Sequence, residues 1–324
     1  MIVGHKKQWD FLNRKFDLKQ LSHAYIFVGP EEIGKRSFAK EFIKKINCKE
    51  SCVNDKIKEQ CQSCKMVDQD NNPDTLIVRQ EGNSEIQIAQ LRAVQHFLSL
   101  KPYYGDFKAV IIDNADRMNQ EAQSCFLKTL EEPKGNTMLI LISARPEMLM
   151  STILSRCQLI KFLPVNKEEI EKHLLGLPAQ AGNSLTAKTA KDLAVLSEGK
   201  IGRAIKFSLS EEKIKEEREL LVDILKICDQ DLALKFKYAK DLPDGKLSDI
   251  LAGLKRYLRY VLLSRLGLEE FVAKNYMDEV VGRFMVMPIS RIKEIIRLIE
   301  KIDFQLATTN ANPKLALEIL LLEV

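Results

Sequence analysis

The chain has 324 residues, of which 45% are hydrophobic and 29% charged, and its formal net charge is +5. This length allows two or three domains with separate cores, and the small net charge permits contact with nucleic acid without predicting it. No apolar run approaches the roughly 18 to 20 residues that span a bilayer, and residues 1–16 lack the apolar core of a signal peptide. We therefore expect a cytoplasmic protein.

The first half of the chain alternates short apolar runs with amphipathic helices, which predicts a parallel sheet covered by helices. The five predicted strands are residues 25–28, 74–78, 108–113, 137–143 and 158–162. Pro164 marks a change to short helical pieces, and from about residue 209 the pattern is helical throughout. The predicted organisation is an α/β domain over residues 1–165, a small helical lid over 166–208 and an all-helical domain over 209–324.

The first predicted strand runs into the sequence GPEEIGKR, residues 29–36, and a helix follows. Gly29, Gly34 and Lys35 match a phosphate-binding loop, in which backbone N–H groups and the lysine face a phosphate. Asp113 ends the third predicted strand and fits the acidic residue that holds Mg²⁺ in such proteins. The sequence therefore predicts an ancestry shared with P-loop ATPases.

Two residues beside this motif argue against ATP hydrolysis. Arg36 stands where the loop requires a Ser or Thr hydroxyl for Mg²⁺, and its cation would repel the metal. Asn114 stands where a Glu often polarises the attacking water, and an amide cannot accept a proton as a general base. We expect a loop that retains the shape of a phosphate-binding site but does not hydrolyse ATP. The alternative is that each change is harmless variation.

Four of the seven cysteines lie close together in the sequence, at Cys48, Cys52, Cys61 and Cys64. In a cytosolic chain such a cluster argues against a disulfide framework, and four thiolates suit a structural, tetrahedral Zn²⁺. The alternative is a decayed site with four reduced thiols.

Several stretches occur in an order that resembles the delta prime subunits of the bacterial DNA polymerase III clamp loader, a family of the AAA+ group. They include LSHAYIFVGPEEIGK, FLKTLEEP, STILSRCQLIKF and TNANPKLALEILLLEV. The resemblance implies an AAA+ P-loop domain, a helical lid and an all-helical collar domain. It also implies a zinc module at the four cysteines, although Lys58 replaces one cysteine of the usual pattern.

The resemblance assigns an active role to Arg156 within the sequence Ser155, Arg156, Cys157. In this family the arginine reaches into the ATP site of a neighbouring subunit and stabilises the transferring phosphoryl group, as an arginine finger does. A guanidinium suits this role because it stays charged and offers fork-like donors. Without the resemblance, a pair between Arg156 and a surface carboxylate is the alternative.

Other departures from the family pattern agree with a loss of ATP turnover. Gly202 stands where active relatives carry an arginine that senses the γ-phosphate, and Arg203 lies one residue later. Ser143 and Ala144 stand where a strand of the active relatives ends in Thr pairs. Each departure resembles a subunit that does not hydrolyse ATP.

Together with these departures, the resemblance implies a largely rigid, non-hydrolysing subunit that associates with gamma/tau and delta subunits. It would supply Arg156 in trans and help the complex to load the sliding clamp on primed DNA. We expect ATP and Mg²⁺ binding by the chain itself to be weak or absent. Two alternatives are an active ATPase of the gamma/tau type and a scaffold protein outside replication.

Overall fold

A computed structural model describes residues 2–48, 61–80, 82, 85–177, 186–243, 246–268, 283–309 and 311–324. The chain forms two compact units, one of Met1–His173 with Glu198–Arg203 and the other of Leu174–Ser197 with Ala204–Val324. Residues of the predicted lid belong partly to each unit. The division into three domains stays a prediction.

The first unit contains a parallel sheet of five strands. They are β1 (Ala24–Val28), β2 (Thr75–Val78), β3 (Lys108–Ile112), β4 (Thr137–Ser143) and β5 (Gln158–Lys161). Their order in the sheet is β2-β3-β4-β1-β5, and all neighbouring strands are parallel. The predicted α/β fold is confirmed, and each strand begins and ends within one residue of its predicted bounds.

The central strands are buried because helices cover both faces of the sheet. Alternate side chains of a strand point to opposite faces. Ile26 and Leu139 accordingly belong to the core on one face, whereas Phe27 and Ile140 belong to the core on the other. The continuous apolar runs of the sequence therefore reflect burial on two sides.

Helices lie before and between the strands of the first unit, as in an α/β fold. They are α1 (Lys6–Asp17), α2 (Lys35–Asn47), α3 (Gln62–Asp68), α4 (Ile88–Ser99), α5 (Gln120–Glu131) and α6 (Ser151–Leu154), with short 3₁₀ turns at Ala115–Arg117 and Pro146–Met148. Since β1, β3 and β4 are parallel, the segments that follow them meet at one edge of the sheet. Ligands of open α/β sheets bind outside this carboxyl edge.

The remaining described helices are α7 (Lys167–Leu175), α8 (Ala187–Leu196), α9 (Ile201–Leu209), α10 (Glu211–Cys228), α11 (Leu232–Asp241), α12 (Lys246–Arg265), α13 (Ile289–Thr308) and α14 (Pro313–Glu323), with a 3₁₀ turn at Arg283–Met285. In the second unit, Leu254, Tyr257, Ile292 and Leu317 share one buried core. Most apolar residues of α12 and α13 therefore belong to the internal core of this unit. Among the described residues, no helix is long and apolar enough to cross a membrane.

Candidate functional site

The segment that matches a phosphate loop joins β1 to α2. Gly34 precedes the helix with a φ of 92°, which glycine adopts without strain. The Lys35 side chain is buried, and its ammonium donates hydrogen bonds to the carbonyl oxygens of Gly29 at 2.5 Å and Pro30 at 2.6 Å. Burial lowers the pKa of Lys35 to about 8. An incoming phosphate would therefore compete with the carbonyls of the loop for this ammonium.

Arg36 lies between two carboxylates. Its Nη2 is 2.6 Å from Oδ2 of Asp70, and its Nη1 is 3.7 Å from Oδ2 of Asp113. Burial raises the pKa of Asp113, while the charge of Arg36 acts in the opposite direction. A guanidinium therefore stands beside the carboxylate that holds Mg²⁺ in P-loop ATPases. A metal ion at the same place would be repelled by it.

Asp70 is a residue that the sequence pattern does not single out. It follows α3, and its carboxylate contacts Lys40 and, at 3.9 Å, Arg79 in addition to Arg36. Burial alone would raise the pKa of Asp70, but the three neighbouring cations lower it overall. Since α3 also carries Cys64, Asp70 connects the helix of the cysteine cluster to the phosphate loop.

The ends of β3 and β4 are joined by hydrogen bonds to the backbone. Asn114, which replaces the expected Glu, has a φ of 53° and begins a tight turn. The Ala144 N–H donates to Oδ1 of Asp116 at 3.2 Å, and the Ser143 hydroxyl accepts from the Arg145 N–H at 3.0 Å. The two side chains that accept here stabilise the loops at the carboxyl edge. Asp116 is a second residue that sequence reasoning missed.

Gly202 lies directly against the phosphate loop, and both belong to the first unit. Its N–H donates to the Glu32 carbonyl oxygen at 2.7 Å. A Cβ atom at position 202 would lie only 2.9 Å from that oxygen, so the close approach requires glycine. The neighbouring Ile201 side chain packs near Gly34. An arginine at position 202 would displace the loop. Arg203 is buried.

Arg156 forms an ion pair at the surface of the first unit. Its Nη2 is 2.7 Å from Oε1 of Glu131, and its Nη1 donates to the Thr152 carbonyl oxygen at 3.0 Å. The Ser155 hydroxyl also donates to Thr152, at 3.1 Å. Burial raises the pKa of the Cys157 thiol to about 12, which keeps it protonated and unreactive. The Ser155 hydroxyl thus contacts the same carbonyl oxygen as Arg156, and the Cys157 side chain is buried.

Arg156 and the phosphate loop of the same chain lie at opposite edges of the sheet. Strand β5 pairs in parallel with β1, so that Gln158 lies beside Tyr25 and Lys161 beside Val28. The loop follows Val28, whereas Arg156 precedes Gln158. The strands alone separate the two edges by roughly 10 Å, at about 3.3 Å per residue. Arg156 therefore lies away from the edge at which this chain could hold a phosphate.

Three cysteines form a separate cluster. The Sγ atoms of Cys48, Cys61 and Cys64 lie within 4.8 Å of one another, and those of Cys48 and Cys61 are 3.7 Å apart. Two thiolates on a tetrahedral Zn²⁺, with bonds of about 2.3 Å, stand roughly 3.8 Å apart, so the donor set fits this metal. Burial and the neighbouring thiols raise the pKa of Cys64. Cys52, the fourth predicted ligand, lies outside the described residues.

The predicted site residues thus fall into three groups. Gly29, Gly34, Lys35 and Asp113 meet at the carboxyl edge with Arg36; Ser155, Arg156 and Cys157 lie before β5; and three of the four cysteines cluster beside α3. The loop of the first group is suited to phosphate. Its two cations, Lys35 and Arg36, are already bonded to carbonyl and carboxylate oxygens of the same chain.

Comparison with known proteins gives a match over residues 4–166 to the family described as "DNA polymerase III, delta subunit". The chain is 37% identical over 164 residues to DNA polymerase III subunit delta' of Bacillus subtilis, which covers 51% of this chain and 49% of that protein. It is 32% identical over 185 residues to subunit delta' of Pseudomonas aeruginosa, which covers 52% and 56% of the two chains.

The chain is also similar to a sister subunit. It is 26% identical over 350 residues to DNA polymerase III subunit tau of Bacillus subtilis, covering 100% of this chain and 60% of that protein. The matches to the two delta' subunits, by contrast, span about half the length of those relatives. The similarity to delta' is higher in identity, and the similarity to tau extends further along the chain.

Proposed function

We propose that this chain, which belongs to the DNA polymerase III delta subunit family and within it to the delta prime type, is a non-hydrolysing subunit of a clamp loader. Its proposed partners are gamma/tau and delta subunits, the sliding clamp and, in the assembled complex, primed DNA. The chain would brace this assembly in the cytoplasm while a neighbouring subunit hydrolyses ATP.

The position of Arg36 carries the proposal that the chain does not hydrolyse ATP. Its guanidinium is 3.7 Å from Asp113 and takes the place at which a hydroxyl and a carboxylate would share Mg²⁺. The loop therefore has neither the ligand nor the local charge that the metal requires. Asn114 and Gly202 support the same conclusion, since the first cannot act as a base and the second leaves no room for an arginine.

The location of Arg156 supports its action in trans. It lies at the amino edge of the sheet, away from the phosphate loop of its own chain. It is partly exposed and carries a permanent charge, so it can reach a phosphate on an adjacent molecule. Its proposed role is to stabilise the charge that develops on the phosphoryl group during hydrolysis by the neighbour.

We further propose that the cysteine cluster holds a structural Zn²⁺. Cys48, Cys61 and Cys64 supply three sulfur ligands at suitable separations, and Cys52 is the proposed fourth. When bound, the metal would fix the end of α2 against the start of α3. The cysteines would act by positioning these helices, and they would take no part in phosphate chemistry.

The second candidate is an active ATPase of the gamma/tau type. It is favoured by the similarity to tau, which extends over the whole chain. This candidate requires that Arg36 and Asn114 be compatible with hydrolysis, although neither residue can bind the metal or activate water in the expected way.

Steady-state ATP hydrolysis by the purified chain, with Mg²⁺ and primed DNA, distinguishes the two candidates. We expect no turnover above background. Turnover that is lost on Lys35→Ala substitution would overturn the proposal and assign the chain to the ATPase type. If the chain also fails to associate with gamma/tau and delta subunits, a scaffold role outside replication would replace both candidates.

A further inference from the structure

Glu131 is the partner of Arg156, and nothing in the sequence pattern assigns it a role. Nη2 of Arg156 is 2.7 Å from Oε1 of Glu131, and the Thr152 carbonyl oxygen accepts from Nη1, the other terminal nitrogen of the guanidinium. Both terminal nitrogens of the arginine are thus engaged within its own chain. In this conformation the guanidinium has to leave Glu131 before it can bind a phosphate elsewhere.

The electrostatics around Glu131 explain why a cation rests there. Glu131 is the last residue of α5, and Glu132 follows it. The end of a helix carries partial negative charge from its free carbonyl groups, and a carboxylate at that position adds to it. Arg156 therefore contacts the carboxylate of Glu131 beside the free carbonyl groups at the end of α5.

The exposure of the pair shows that the contact is exchangeable. The side chains of Arg156 and Glu131 are 37% and 49% exposed. Ion pairs at this level of exposure shift an equilibrium by only about two- to five-fold, because water and salt screen them. A triphosphate carries more charge than one carboxylate and can displace Glu131 from the guanidinium.

We propose that Glu131 is a positioning residue that holds Arg156 in a resting conformation until a triphosphate on the neighbouring subunit takes its place. This inference rests on the proposed action of Arg156 in trans. The fraction of molecules whose Arg156 is released sets the apparent efficiency of the neighbour's site, as in any equilibrium between resting and competent states. Glu131 thereby lowers the kcat/KM of the neighbour's site, because it reduces the fraction of molecules whose Arg156 is released.

The test uses full-length chain in a complex reconstituted with gamma/tau and delta subunits. ATP hydrolysis is measured as kcat/KM for Glu131→Gln, and for Glu132→Gln as a control with the same charge change one residue away. We expect Glu131→Gln to raise kcat/KM by about two- to five-fold and Glu132→Gln to leave it within error. Both substitutions are repeated together with Arg156→Ala.

The double substitution separates an effect through Arg156 from a general change in surface charge. We expect Glu131→Gln to have no effect once Arg156 is alanine. An increase that persists there, or no increase in the presence of Arg156, overturns the role of Glu131 and leaves the arginine finger intact. Unchanged hydrolysis after Arg156→Ala alone overturns the arginine finger, and the role of Glu131 with it.

Discussion

The two edges of the sheet each present an arginine with a carboxylate partner, but the two arrangements differ. Arg36 and Arg156 are similarly exposed, at 32% and 37%. The difference lies in their partners. Arg36 lies between Asp70 and Asp113, which are 24% and 19% exposed, whereas Glu131 is 49% exposed. The exposure of the partner carboxylates therefore decides whether an arginine is fixed in place or available to a ligand.

The largest effect should come from removing the available arginine. In a reconstituted complex, Arg156→Ala should reduce ATP hydrolysis by the neighbouring subunit by roughly 10³-fold or more, the size of an arginine-finger contribution. Arg156→Lys, which keeps the charge and loses the fork of donors, should recover only part of the rate. Equal rates of ATP hydrolysis for the wild type and Arg156→Ala would show that Arg156 does not act on the neighbouring ATP site.

The cysteine cluster is connected to Arg36 through α3. This helix carries Cys64 and ends just before Asp70, the ion-pair partner of Arg36. Cys64→Ala should remove bound zinc, measured by elemental analysis, and lower the melting temperature by about 5 °C or more. The control is Cys125→Ala, a half-buried thiol outside the cluster, which should keep the metal. Zinc content equal to that of the wild type in Cys64→Ala would contradict a zinc site at these residues.

The contact between Gly202 and the phosphate loop is tested by adding a single methyl group. Gly202→Ala should lower the free energy of unfolding by about 1–3 kcal/mol, because the new Cβ meets backbone that cannot easily move. Gly253→Ala in α12 is the matched control, since its nearest neighbour is a flexible arginine at 3.9 Å. It should stabilise by up to about 1 kcal/mol through helix propensity. Equal effects of the two substitutions in chemical denaturation would contradict the close approach.

Replacing Arg36 should make the carboxyl edge more accessible to a metal-bound nucleotide. Arg36→Thr restores the hydroxyl of the phosphate loop and removes the competing cation. We expect Mg²⁺-dependent nucleotide affinity to rise by about tenfold or more in calorimetry, without hydrolysis, because Asn114 remains. Arg36→Lys keeps the cation and should behave as the wild type. Tight Mg²⁺-nucleotide binding by the wild type itself would refute a fixed arginine.

The last prediction concerns Lys35, whose pKa of about 8 in the folded chain lies below its ordinary value of 10.5. Between these values the unfolded chain binds the proton more strongly, so the free energy of unfolding should rise with pH there. Below about pH 8 both states are protonated and this contribution to the slope disappears. Lys35→Met should remove the contribution, which denaturation at several pH values would show. Parallel curves for both proteins would mean that Lys35 is not desolvated.

Much of this organisation follows from the sequence, because strands and phosphate loops have short-range patterns. The five strands, the loop at Gly29 and the unsuitable residues Arg36 and Asn114 all follow from local spacing. Asp70 and Glu131 do not, since they meet their arginines across 34 and 25 residues and only the fold brings them together. The approach of Gly202 to Glu32 is likewise a tertiary contact that no spacing encodes.

Arg156 and the phosphate loop lie at opposite edges of the sheet, so the chain has one edge that could donate an arginine and another that could accept one. Subunits that present a donor edge to a neighbour's acceptor edge associate head to tail, and such rows either close into rings or continue. In this chain Arg156 is available, while the phosphate loop is occupied by cations of the chain itself. Such a chain could supply an arginine to the ATP site of one neighbour without needing an arginine from another. If Arg156 acts in trans as proposed, such a chain would stand at the end of the series of working ATP sites in a row of subunits.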